Sequence, residues 1–461
     1  MKIRRNWALA VLTAAAALGC APANSVLAAP AAAGAGGRSD AAAAGAEQAG
    51  AHSDASIAGG DGPSADAGGS AGAESDSKEL GRGGNGGTPA GSGGTSNGGQ
   101  VTGGSCGSAV VRGSGDGTFT AKVDYPTGER PLAAALGDFN ADGKLDLATA
   151  NSDSDNVSVL LGKGDGTFAP KVDYPSGAEP DSLALGDLNS DGKLDIAVSD
   201  ATAGVVHVML GKGDGTFAAQ VDYGTAGRPA SVAVADFNSD GKLDLVAADN
   251  GSNKISVLLG KGDGTFAPKA DYAAGTPNSV AVGDLNADGR PDVVTTSAQS
   301  STVSVLLQMA DGKFAAENEF SVGSGPQLLV LGDLNGDGKL DIATASAYAT
   351  AVSVLLGEGD GNFGVHIDYE TASYPISLAL ADLNGDGKLD IVAAATFGDS
   401  VSVLLGIGAG MFAAKVDYPT GTNPNSVALG DLNADGKLDV VTVNYNAASA
   451  SVLLGNGGGA K

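Results

Sequence analysis

The stretch Gly186-Asp187-Leu188-Asn189-Ser190-Asp191-Gly192-Lys193-Leu194-Asp195-Ile196 decides the reading of this chain, because the chain repeats it. Versions of it begin at Asp138, Asp187, Asp236, Asp284, Asp333, Asp382 and Asp431, 48 or 49 residues apart. A fixed period of this length is the mark of a repeat architecture, and unrelated loops would have drifted out of register. Around each copy lie four strand-like runs. In successive order they are typified by Ser182–Gly186, Leu194–Val198, Val157–Leu161 and Phe168–Tyr174. In the last, Phe168, Pro170, Val172 and Tyr174 fall on one face, with Lys171 and Asp173 on the other. Between the third and fourth runs stands Gly162-Lys163-Gly164-Asp165-Gly166-Thr167-Phe168, whose Asp-Gly is a tight-hairpin signal. No window of helical period competes.

Four strands per repeat of 40–50 residues describe a propeller blade. Two features favour a closed ring over an open stack. The first run of each unit is rich in small residues, as in Ser231-Val232-Ala233-Val234-Ala235, which suits a crowded axis. The last unit ends after Ser451–Gly455 without a fourth run, while an unpaired copy, Phe119–Tyr125, precedes the first loop. The expected fold is therefore all-β: a seven-bladed β-propeller of four-stranded antiparallel blades, its N-terminal strand closing the last blade. Ala109-Val110-Val111 resembles part of a third run, so this segment can begin earlier. A closed ring leaves few sheet edges and suits a monomer.

The recurring loop reads Asp-x-Asn-x-Asp-Gly-x-x-Asp. Calcium takes six to eight oxygen ligands at flexible geometry. Side chains at positions 1, 3, 5 and 9 can supply oxygens, position 7 can supply its backbone carbonyl, and Gly at position 6 permits the sharp turn. The candidate ligands are Asp138, Asn140, Asp142, Lys144 and Asp146; Asp187, Asn189, Asp191, Lys193 and Asp195; Asp236, Asn238, Asp240, Lys242 and Asp244; and Asp284, Asn286, Asp288, Arg290 and Asp292. The remaining three loops offer Asp333, Asn335, Asp337, Lys339 and Asp341; Asp382, Asn384, Asp386, Lys388 and Asp390; and Asp431, Asn433, Asp435, Lys437 and Asp439. The Lys and Arg residues would act through their carbonyls, with side chains outward. Three carboxylates so close repel one another unless a cation sits among them. Turn chemistry alone accounts for Asp, Asn and Gly, but not for an Asp at position 9, inside a strand. Magnesium demands stricter geometry, and zinc would want His or Cys. About seven Ca²⁺ ions are expected, structural in role, with dissociation constants on the order of 10⁻⁴–10⁻³ M.

An EF-hand or dockerin loop begins similarly, but carries an acid at position 12 and helical flanks; here position 12 is small or apolar, as at Val198. The pattern over residues 113–461 resembles FG-GAP/VCBS repeats, the blades of integrin α-subunit heads and of many bacterial secreted proteins. That resemblance implies a calcium-stabilised propeller used mainly for recognition or adhesion, with the Asp loops between the first two strands of each blade.

The rest of the chain differs in kind. Lys2, Arg4, Arg5 and the short apolar run Trp7–Leu18 read as a signal peptide over residues 1–20, too short to span a bilayer. Ala17-Leu18-Gly19-Cys20 resembles a bacterial lipobox, with Cys20 as the lipid-modified residue, although Ala17 stands where Leu is usual. Ordinary cleavage near Val26-Leu27-Ala28 is the competing reading, and the flanks of Arg4-Arg5 fit twin-arginine export poorly. Residues 21–107, dominated by Ala, Gly, Ser and Asp, cannot bury enough apolar surface to order themselves. They read as a disordered tether with an end-to-end distance of about 50 Å, leaving 108–461 as the propeller. With only two cysteines, Cys20 and Cys106, no disulfide framework is at hand. The net charge of −27 argues against nucleic acid and anionic membranes as partners, and suits cations.

Other features carry less. The pairs Asp124-Tyr125, Asp173-Tyr174, Asp222-Tyr223, Asp271-Tyr272, Glu319-Phe320, Asp368-Tyr369 and Asp417-Tyr418 fit packing between blades better than a ring of sugar-stacking rings. Asp165-Gly166 and its equivalents read as hairpin turns. His52, His207 and His366 occupy non-equivalent places and suggest no catalytic set. Glu129, Arg130, Glu179 and Asp181 lie in connections between blades, where propellers host sites. The expected function is a non-enzymatic, extracytoplasmic binding or adhesion module for protein or glycan, either secreted or a bacterial outer-membrane or cell-surface lipoprotein. A polysaccharide lyase or hydrolase and an envelope scaffold are the alternatives.

Overall fold

The computed structural model describes residues 113–457, together with a two-residue strand at Ala15–Ala16 that pairs in parallel with Ala184 and Leu185. The signal peptide, Cys20, the tether, Cys106, His52 and Ala109–Val111 otherwise lie outside the described residues.

Blade 1 consists of Pro131–Gly137, Asp146–Asn151, Asn156–Leu160 and Val172–Pro175, hydrogen-bonded in that order. All three pairings are antiparallel. Blades 2 to 6 repeat this order, beginning at Pro180, Pro229, Ser279, Pro326 and Pro375. Blade 7 draws Pro424–Gly430, Asp439–Asn444 and Ser449–Leu453 from the C-terminal end and Val123–Pro126 from the N-terminal side. Val123 stands opposite Val452, and Pro126 opposite Ser449. The first strand of each blade packs on that of the next, and the first strand of blade 7 packs on that of blade 1, so the seven sheets close a ring. Among the described residues the only helical turn is Thr396–Gly398.

Burial falls from axis to rim. First and second strands are buried almost throughout, whereas the fourth strand exposes most of its residues. That strand is also shorter than the alternation in Phe168–Tyr174 predicts. It runs only over Val172–Pro175, and Val172 is exposed. Phe168 instead folds back as a single bridge to Gly162 and is buried. The reason is that the hairpin before it reaches across to the neighbouring blade, and the outer strand has no further sheet to cover it.

That reach explains the acidic-aromatic pairs. Tyr174 meets Phe217 of the next blade edge-on at 5.3 Å, and its hydroxyl donates to the Gly215 carbonyl at 3.3 Å. Such aromatic contacts recur from blade to blade, including Tyr125 with Phe168 and Tyr418 with Phe119. The acid beside the ring accepts from a buried third-strand serine, as Asp173 does from Ser158 at 2.6 Å. The aromatic residues are packing between blades.

Antiparallel order places the Asp loops and the third-to-fourth hairpins at one face of the ring. The turns between second and third strands, and the connections from blade to blade, share the opposite face.

Candidate metal centre

Each Asp loop is held by its own hydrogen bonds. In the first, Asp138 Oδ1 and Asn140 Oδ1 both accept from the Asp142 amide, at 3.1 and 3.0 Å. Two of the proposed ligand oxygens are thereby drawn to one point. Asp138 Oδ2 accepts from the Gly143 amide at 2.8 Å, and Asp142 Oδ1 from the Lys144 amide at 3.0 Å. The turn uses two left-handed residues. Gly143 at φ 79° was legible as the sharp turn, but position 4 is left-handed too: Ala141 at φ 58°, Ser190 at 59° and Gly336 at 80°. Side chains rarely adopt that conformation, and nothing in an alanine or serine announces it.

Asp146, at position 9, is fully buried, and both its oxygens are engaged. Oδ2 accepts from the Phe139 amide at 2.9 Å, and Oδ1 from the Gly162 amide, beyond the third strand, at 2.7 Å. The other six loops place Asp195, Asp244, Asp292, Asp341, Asp390 and Asp439 in the same way. Burial, against the pull of those two amides, pushes the Asp146 carboxyl up to about 6, and the charges of Asp138 and Asp142 add to the rise. The corresponding groups of Asp244 and Asp439 are pushed to about 7. The charges of positions 1 and 5 thus act on position 9, behind burial as the larger cause.

The side chain at position 7 lies on the surface, as expected of a residue offering its carbonyl, but its ammonium is not free. Lys144 Nζ sits 3.1 Å from Asp142 Oδ2, Lys388 2.7 Å from Asp386 and Lys339 3.9 Å from Asp337, while Arg290 pairs with Asp288. This internal cation partly offsets position 5, a role the motif did not reveal. Among the described residues no three His, Cys, Asp or Glu side chains are gathered into a metal-holding group. Positions 1 and 3 of each loop meet at the position 5 amide, as Asp138 and Asn140 do at Asp142, while position 9 is directed to two other amides, so the carboxylates do not converge on one point. The donor set itself, carboxylate, amide and carbonyl oxygens without nitrogen or sulfur, is the chemistry a hard cation such as calcium takes.

The loops also join blades. The position 2 carbonyl accepts from the hairpin of the next blade: Phe139 O from the Gly215 amide at 3.0 Å, Leu188 O from Gly264 at 3.2 Å and Leu432 O from Gly166 at 3.1 Å. In blade 4, Gln308 Nε2 reaches the Phe237 carbonyl at 2.8 Å. Asp165 closes its hairpin by accepting from the amide and hydroxyl of Thr167.

The histidines read as incidental have defined places. His366 is partly exposed and bonds the Ser321 carbonyl. His207 is buried, with Nδ1 2.7 Å from Asp222 and Nε2 3.2 Å from Asp200, where other blades carry a serine. On the face opposite the Asp loops, Arg130 pairs with Asp153 and lies 5.1 Å from the centre of the Tyr445 ring, and Glu179 accepts from Thr202.

A model of the FG-GAP-like repeat matches residues 96–149, 138–198, 187–247, 236–295, 284–344, 333–393 and 382–442. No curated protein matches the chain in sequence. Among solved structures it is similar to BBS1N in its complex with ARL6DN, at 11% identity and TM-score 0.51, over 76% of this chain and all of that one. It is also similar to a catalytically inactive virginiamycin B lyase from Staphylococcus aureus with quinupristin, at 14% identity and TM-score 0.50, over 73% of this chain and 99% of that one. A streptogramin B lyase is alike at 14% identity and TM-score 0.50, over 73% and 98%. Likeness at these identities shows the fold alone.

Proposed function

The chain belongs to the FG-GAP-like repeat family, and from that premise we propose that it is a calcium-stabilised, non-enzymatic binding module that works outside the cytoplasm. One observation carries the binding role: the two faces of the ring differ in kind. The Asp-loop face repeats the same side chains blade after blade. The opposite face varies from corner to corner between blades, with Arg130, Glu179, Arg228, Tyr374 and Asn423 among the corner residues, each at positive φ between 52° and 65°.

The calcium reading rests on the donor set and on the charges of positions 1 and 5 pressing on position 9. Side-chain oxygens of positions 1, 3, 5 and 9 and the carbonyl of position 7 would hold the ion. Bound, it would supply positive charge to the clusters, taking the formal charge from −27 to about −13 with seven ions. An ion that binds only the native state stabilises it by mass action. The extracytoplasmic placement rests on the basic and apolar start of the chain.

Thermal unfolding with and without a chelator, followed by metal analysis, tests the calcium half. The melting temperature should fall on chelation, and the untreated protein should carry several calcium ions per chain. A melting temperature indifferent to chelation would sink it. The mass of the mature N-terminus reads directly whether Cys20 carries lipid.

A further inference from the structure

We propose that a cleft on the face opposite the Asp loops, spanning blades 2 to 6, binds a neutral saccharide; this deepens the binding-module reading and rests on it. The cleft holds about 210 Å³ and is lined by Asp181, Arg228, Asn250, Asn278, Gln327 and Tyr348, with Tyr374 beside them. This is below the roughly 300–1,000 Å³ of pockets that engulf larger ligands. It fits one sugar unit, or the end of a longer chain.

Gln327 is the strongest pointer. It is 1% exposed, its Nε2 donates to the Gly325 carbonyl at 3.1 Å, and its Oε1 has no hydrogen-bond partner. A buried carbonyl without a donor is costly and calls for one. Hydroxyl groups of a ligand in the cleft would supply it. Asn250 Nδ2 donates to Asn278 Oδ1, which leaves the other end of each amide for a further bond. Burial, with the charges of Asp200 and Glu179, pushes the Asp181 carboxyl up to about 8, while Arg228 acts in the other sense. Burial thus favours the protonated form of Asp181, which can donate as well as accept. The charge of Glu179 is felt at Asp181, and the chain as a whole is strongly acidic, so an anionic sugar is disfavoured.

Beside these polar groups stands a run of rings. Tyr348 is 66% exposed and meets Tyr374 at 5.7 Å, and Tyr374 meets the exposed Phe397 at 4.5 Å. Planar amides, a carboxyl and a guanidinium set against aromatic faces suit a ligand with hydroxyls at its edges and C–H groups on its faces. A protein partner would use the same rings as anchors, but would not need the amides of Asn250, Asn278 and Gln327 gathered in a concave cleft beside them.

The test is an array of neutral, uronate-containing and sialylated glycans probed with the full chain in calcium buffer. Tyr348→Ala and Asn278→Ala are run beside it, with melting temperature as the folding control. Neutral glycans should bind, and each variant should weaken that binding about ten-fold or more at an unchanged melting temperature. If Asn278→Ala fails to fold, the exposed Tyr348→Ala decides. The proposal falls if no neutral glycan binds, if only acidic glycans bind, or if the variants bind as the parent does. Capture of a polypeptide that Tyr348→Ala abolishes would sink the saccharide but keep the binding module. Cleavage of a bound neutral glycan would keep the site and sink the non-enzymatic reading.

Discussion

Asp146 shows how much one carboxylate can hold. Its two oxygens tie the start of the loop and the end of the third strand through the Phe139 and Gly162 amides. Asp146→Asn is nearly isosteric, yet it must set an NH₂ against one of those N–H donors. The expected loss is about 1–3 kcal/mol, and it should persist in chelator, where denaturant unfolding separates it from any lost metal. Gly143 and Ala141 are a second pair to compare. A Cβ at Gly143 would meet nothing within 4 Å, so Gly143→Ala should cost about 1–2 kcal/mol through the backbone alone. Ala141→Gly relieves the same strain and should be neutral or stabilising. His207 supplies one part of the pH dependence, beside the raised position 9 carboxyls. Burial alone would lower its pKa, but the hydrogen bonds it donates to Asp200 and Asp222 outweigh that and hold it above 6.5. Its contribution is thus complete below pH 6.5 and disappears as pH rises through the folded-state value. His207→Ser, the residue other blades carry, should make the fall in stability above pH 6.5 shallower than in the parent without abolishing it, since the raised position 9 carboxyls titrate there too, as seen by denaturant unfolding at a series of pH values.

At the scale of the element, the unit is not a blade but a blade with its neighbour's hairpin. Phe217 packs on Phe139 at 5.5 Å and on Tyr174 at 5.3 Å, both from the preceding blade. Phe217→Ala should cost about 3–5 kcal/mol, while Tyr174→Phe, which gives up one long hydrogen bond, should cost far less. Gln308 makes the same link by other means. Gln308→Leu leaves the Phe237 carbonyl without that donor and should lose about 1–3 kcal/mol, measured by chemical denaturation. The repeat made the four strands and the Asp loop legible. It did not show that the fourth run splits into a bridge and a short strand, because alternation reports faces within one chain segment and not what the next blade covers. Gln308 stands where the other blades carry glycine, and the sequence alone does not reveal its role, since its partner lies 71 residues away.

For the whole molecule, closure is the decisive contact. Val123–Pro126 pairs with Ser449–Leu453, Phe119 bridges Gly455, and Tyr418 packs on Phe119. The residues around Phe119 share one apolar cluster with Leu383, Val403, Val427 and Leu453. A chain beginning at Thr127 would leave the Ser449–Leu453 edge unpaired, a template for another chain. Size-exclusion chromatography should show it associating where the parent runs as a single species, and adding back a peptide of residues 113–126 should reverse this.

The sequence by itself determined the number of blades, the strands in each and the seven acidic loops, because these depend on local pattern repeated at a fixed period. Only the tertiary structure decided what position 9 bonds to, that the lysine at position 7 folds back on position 5, and that Gln327, Tyr348 and Tyr374 share one cleft. Gln327 and Tyr348 stand at separate places in one blade and Tyr374 opens the next, while position 9 reaches amides seven residues before it and sixteen after it, contacts that the spacing of the motif does not record.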